Sequence, residues 1–114
     1  SITMEGAGGG GSFANRGVFV NGRNAQIATN SGEITITGTG GQNQNIDSDT
    51  NDGVSILNGG SIRSQTGNFT ITGTGGFGRK GNQGINLGSF DDDASIVSEI
   101  KTNGGDIELS GVGQ

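Results

Sequence analysis

Apolar residues in this chain come in short runs that alternate with polar ones. Ile34-Thr35-Ile36-Thr37 leads into Gly38-Thr39-Gly40-Gly41, and the run returns as Phe69-Thr70-Ile71-Thr72 before Gly73-Thr74-Gly75-Gly76. Fainter copies are Ile2-Thr3-Met4-Glu5-Gly6 and Ile107-Glu108-Leu109-Ser110-Gly111. The closing glycine recurs at intervals of 32, 35 and 38 residues, from Gly6 to Gly38 to Gly73 to Gly111. Self-similarity at such a period marks a repeat architecture.

Two further apolar units recur inside each period. One is Gly17-Val18-Phe19-Val20, matched by Gly53-Val54-Ser55-Ile56 and Gly84-Ile85-Asn86-Leu87. The other is a single isoleucine, Ile27, Ile62 or Ile100, always seven residues before Ile34, Phe69 or Ile107. All units are short, alternate with a period of two, favour β-branched residues and are bounded by Gly, Asn, Ser or Asp, which predicts strands. No segment has a helical period. Three strands per repeat, with no proline to interrupt a ladder, describe one coil of a parallel β-helix, or β-solenoid, whose coils stack about 4.8 Å apart.

The fold class is therefore all-β, with residues 1–114 as a single solenoid segment of about three coils. Its repeats are approximately 1–16, 17–52, 53–83 and 84–114. Five inward columns are predicted: Val18, Val54 and Ile85; Val20, Ile56 and Leu87; Ile27, Ile62 and Ile100; Ile2, Ile34, Phe69 and Ile107; Met4, Ile36, Ile71 and Leu109. Both ends of such a stack expose strand edges, and no capping segment is visible. The expectation is that the chain continues or that its copies stack end to end.

Composition changes the picture chiefly by exclusion. With no histidine or cysteine there can be no Ser-His-Asp triad, thiol nucleophile, disulfide or ordinary zinc site, and an enzyme is not expected. Leu, Ile, Val and Phe number 25 of 114 residues, barely above the level of roughly 20% at which chains stop forming a core. The periodic placement of those residues, and a net charge of only −5, favour a folded chain over a disordered one. Six scattered Lys and Arg against eleven Asp and Glu argue against nucleic acid, which is held by clustered basic side chains. No run is long and apolar enough for a membrane span.

The units of Asp52 to Gly76, in which Gly-Val-x-Ile, Ser-Ile-x-Ser and Asn-Phe-Thr-Ile-Thr-Gly alternate, resemble the repeats of filamentous-haemagglutinin-type exoproteins of the two-partner secretion system. Repeats of this Gly-, Thr- and Asn-rich style are frequent in cyanobacteria. The resemblance covers nearly the whole chain but is to a repeat style rather than to invariant residues. It implies a right-handed parallel β-helix within a large secreted or surface-attached fibrous adhesin. The asparagine-rich secretion motif of that family's amino-terminal domain is not found here, so a shaft segment is implied.

Candidate chemistry is sparse. Asp47, Asp49, Asn51 and Asp52 place oxygens in the manner of a D-x-D-x-[DN] calcium loop, although the glycine comes one place late and no glutamate stands at the twelfth position. A solvated acidic turn is the expectation, with calcium the one candidate ion and no other cofactor. Asp91-Asp92-Asp93 falls in an insertion between Leu87 and Ile100 and reads as a solvated loop, since adjacent loop carboxylates do not converge without a cleft. Gly6 to Gly11 satisfies G-x-G-x-x-G in form, but no helix follows to receive a pyrophosphate. Thr35, Thr37, Thr70 and Thr72 form an outward threonine array interrupted by glutamates, as a half-exposed strand prefers.

Together these readings describe a structural segment of an extracellular or cell-surface bacterial adhesin or filament. The expected partners are the chain itself, through open strand edges, and a cell surface or extracellular polysaccharide. The alternatives are a calcium-binding solenoid module, then a polysaccharide-binding or polysaccharide-degrading β-helix.

Overall fold

A computed structural model describes residues 1–11, 13–42, 49–79, 81–89 and 96–114. Among them are ten strands: β1 (Ile2–Ala7), β2 (Val18–Asn21), β3 (Gln26–Thr29), β4 (Ile34–Thr39), β5 (Val54–Leu57), β6 (Ser61–Ser64), β7 (Phe69–Thr74), β8 (Ile85–Gly88), β9 (Glu99–Thr102) and β10 (Ile107–Val112). They form three parallel sheets: a first of β1-β4-β7-β10, a second of β3-β6-β9 and a third of β2-β5-β8. Each strand pairs with the strand three places on, so the chain is a β-solenoid with three strands per coil and about three coils.

The register follows the apolar columns. Val18 lies beside Val54 and Val54 beside Ile85, while Val20, Ile56 and Leu87 are aligned in the same way. Ile27, Ile62 and Ile100 form the second sheet's column. In the four-stranded sheet Ile2, Ile34, Phe69 and Ile107 are partners, and so are Met4, Ile36, Ile71 and Leu109. A slip of one residue would turn every one of these side chains outward, so the alternation fixes the register.

Burial depends on position along the stack. Ile34, Ile36, Val54, Ile56, Ile62 and Ile71, which have a coil on each side, are 0% exposed. Their column partners at the last coil, Leu87, Ile107 and Leu109, are 48%, 44% and 49% exposed. At the first coil Val18 and Val20, with a neighbour on one side only, are still just 7% exposed, so it is at the last coil that much of the roughly 1.5–3 kcal/mol of burial per side chain is forgone.

Two repeated devices turn the corners. At the first, the glycine near the end of β1, β4 or β7 meets the glycine that precedes β2, β5 or β8: a Cβ on Gly6, Gly38 or Gly73 would run into the carbonyl oxygen of Gly17, Gly53 or Gly84. Only glycine allows that approach. At the second, a hydroxyl closes the turn after the second sheet. Thr29 Oγ1, Ser64 Oγ and Thr102 Oγ1 accept from the amides of Gly32, Gly67 and Gly105, three residues on, at 3.3, 2.7 and 3.1 Å. This is the local side-chain turn for which Ser and Thr are suited.

Candidate functional site

The densest polar structure lies at the corner leading into β2, β5 and β8. Ala14, Thr50 and Gly81 occupy equivalent places there with φ of 56, 62 and 68°. These left-handed residues are followed by Asn15, Asn51 and Asn82, which are 8%, 0% and 8% exposed. The Asn15 Nδ2 donates to Asn51 Oδ1 at 2.9 Å, and the Asn51 Nδ2 donates to Asn82 Oδ1 at 3.0 Å. The ladder runs through all three coils. Its remaining donors reach backbone carbonyls of Gly11, Phe77 and Gly78 at 2.7, 2.8 and 2.9 Å. Buried amides are stable in such a place only when their partners are supplied, and here the stacking of coils supplies them.

Asp52 extends the polar core by one residue. It is fully buried. Its carboxylate accepts from Ser55 Oγ at 2.8 Å, the Gln83 amide at 3.1 Å and Asn86 Nδ2 at 3.1 Å. Ser55, on the outward side of β5, is buried between its register partners Phe19 and Asn86. Arg16 Nε stands 3.9 Å from Asp52 Oδ2, outside hydrogen-bond range, while the guanidinium lies 4.3 Å from the centre of the Phe19 ring. The cation is thereby held between a buried carboxylate and an aromatic face.

The residues singled out as calcium ligands take different partners. Asp49 receives both the Nε and the Nη2 of Arg79, at 3.2 and 2.8 Å, the bidentate geometry in which a guanidinium and a carboxylate fit. Asn51 is the middle rung of the ladder, and Asp52 is enclosed by Ser55, Gln83 and Asn86. Asp47 lies outside the described residues, as do Asp91, Asp92 and Asp93. Among the described residues no group of three or more acidic side chains comes together in a way that could hold a metal ion.

No family model, curated protein or solved structure matches this chain.

The other distinctive feature is the end of the stack. β10, β8 and β9 are the last strands of their sheets, and β1, β2 and β3 the first. The final coil leaves Ile85, Leu87 and Leu109 around an open hollow of about 520 Å³ floored by Gly84 and Gly111. An apolar coil end beside unpaired strand edges is a template for one more coil.

The asparagine ladder was missed by reading the repeats from their glycines. The signal stands two residues upstream, as Asn15-Arg16-Gly17-Val18, Asn51-Asp52-Gly53-Val54 and Asn82-Gln83-Gly84-Ile85. Reading Asn51 with its acidic neighbours along the chain concealed its likeness to Asn15 and Asn82, which lie beside it in the fold.

Proposed function

We propose that this chain is a structural segment of an extracellular bacterial adhesin or filament, a rigid solenoid shaft that carries loops for contact with a surface. The observation that carries the reading is the identity of the rungs. Each coil repeats the apolar columns, the glycine corner, the hydroxyl-closed turn and the asparagine rung, and among the described residues the last coil leaves Leu87, Ile107 and Leu109 nearly half exposed. Such a unit gains stability by lengthening, because terminal rungs are the ones left half covered.

Lengthening can occur within one polypeptide or between copies. Between copies, the strand count fixes the mode. The first sheet has four strands and the others three, so setting β1 of one copy on β10 of another leaves a one-strand gap in each of the other two sheets. Contact then runs through Ile107 on Ile2 and Leu109 on Met4, a head-to-tail arrangement that does not close. Electron microscopy of the native assembly tests the reading. Rods with an axial repeat of about 4.8 Å per coil are expected; compact particles that lack this repeat would overturn it.

A further inference from the structure

The outward face of the second sheet holds a groove whose charged and amide side chains none of the preceding features uses. It has a volume of about 570 Å³ and is lined by residues that include Gln26, Ala28, Arg63, Gln65, Lys101 and Asn103. Its origin is a column of unequal side chains. Ala28, Arg63 and Lys101 are register partners on β3, β6 and β9, and the short alanine leaves a trough beside two long cations. The amides flank the trough, and Asn103 Nδ2 donates to Gln65 Oε1 at 2.7 Å.

Two features of this column point to an anion. Arg63 and Lys101 are exposed like charges on neighbouring strands, about 4.8 Å apart at the backbone, a placement that costs stability unless a counter-charge sits between them. The carboxylate beside them, Glu99, stands 3.6 Å from Arg63 Nε with Arg63 53% and Glu99 32% exposed at the side chain, an open pair of little strength. Arg63 therefore keeps its outer nitrogens for a further acceptor. The protein as a whole carries −5, so a polyanion is not drawn to it by net charge and must be held locally.

We infer that this groove binds a uronate-bearing polysaccharide laid across the coils, with sugar carboxylates on Arg63 and Lys101 and sugar hydroxyls on the amides of Gln26, Gln65 and Asn103. The planar Arg63 fork suits a carboxylate, and the amides both donate and accept, as hydroxyls require. Two cations beside Glu99 provide for sparse negative charge, not for a densely sulfated chain. Among the described residues no aromatic ring lines the groove, so a neutral sugar chain finds neither a stacking face nor a counter-charge. The inference rests on this sheet face alone and stands apart from the shaft reading.

The test is titration of the full chain with oligogalacturonate, neutral dextran and dextran sulfate, followed by amide chemical shifts. Oligogalacturonate is expected to shift resonances of β3, β6 and β9 and to bind several-fold more weakly as salt rises from roughly 20 mM to 0.3 M, where screening shortens from about 20 to 6 Å. Arg63→Gln and Lys101→Gln should each weaken binding about tenfold, the scale of one charged hydrogen bond. Arg79→Gln, which removes the same charge at another corner, should leave it unchanged. Equal binding of neutral dextran, binding of dextran sulfate as tight as that of oligogalacturonate, or retention in the R63Q/K101Q double variant with its circular dichroism intact would overturn the inference. Absence of any shift would also overturn it, and would leave the shaft reading and its expected rods unaffected.

Discussion

Single residues matter here according to how many coils they join. Asn51 is bonded to the rung on either side, so replacing it strands an acceptor on Asn82 and removes a partner from Asn15 and from the Phe77 carbonyl. With about 1–3 kcal/mol for each buried group left unsatisfied, Asn51→Ala should cost about 2–4 kcal/mol in urea unfolding. Asn15→Ala, at the end of the ladder, should cost less. Thr50 gives the opposite sign. It is a β-branched residue at φ 62°, where the equivalent place in the next coil holds Gly81, and such a residue is strained there. Asparagine tolerates this conformation, so Thr50→Asn should raise stability by about 1 kcal/mol, seen as a higher urea midpoint at unchanged slope. The need for a left-handed residue was not legible in the sequence, because Ala14, Thr50 and Gly81 share no side-chain chemistry.

At the scale of the element, the recurring glycine is a packing requirement with a position-dependent cost. A Cβ on Gly38 or Gly73 meets the backbone oxygen of Gly53 or Gly84, whereas at Gly111 the nearest atom is 3.3 Å away. Gly38→Ala and Gly73→Ala should therefore cost roughly 3 kcal/mol by overpacking. Gly111→Ala should change stability by no more than about 0.5 kcal/mol. Thermal melts of the three variants check this, and equal losses at all three sites would mean that the glycines serve backbone freedom and not the corner contact. The strands themselves were legible: the fixed seven-residue spacing of Ile27, Ile62 and Ile100 from the next unit located β3, β6 and β9 although each offers a single inward isoleucine. The expected solvated turn over Asp47 to Asp52 is a contrasting case. Asp49, Asn51 and Asp52 are buried, because the fold pairs Asp49 with Arg79 and encloses Asp52 between Ser55, Gln83 and Asn86.

At the scale of the whole molecule, the proposed end-to-end stacking makes Leu109 and Leu87 unequal. If copies associate through β10 and β1, Leu109 is inside the contact and Leu87 borders the gap. Leu109→Glu should then abolish any concentration-dependent lengthening seen by light scattering, while Leu87→Glu should reduce it only weakly. Both residues are nearly half exposed in the single chain, so neither change should lower the melting temperature of the monomer by more than a few degrees. Ile71→Ala, in the same column as Leu109 but between two coils, should cost about 2–5 kcal/mol.

The sequence by itself determined the coil. A period of two within each unit and a period near 35 between units leave one way of stacking that aligns every apolar column, so strands and register follow from spacing alone, while Leu87, Ile107 and Leu109 are 48%, 44% and 49% exposed because depth of burial depends on place in the stack. Only the tertiary structure decided where the polar groups go. Asn15, Asn51 and Asn82 are joined across intervals of 36 and 31 residues, and Arg63 and Lys101 across a single ladder step. Such partners belong to different coils, and a side chain's role is set by the rung above and below it rather than by its neighbours along the chain.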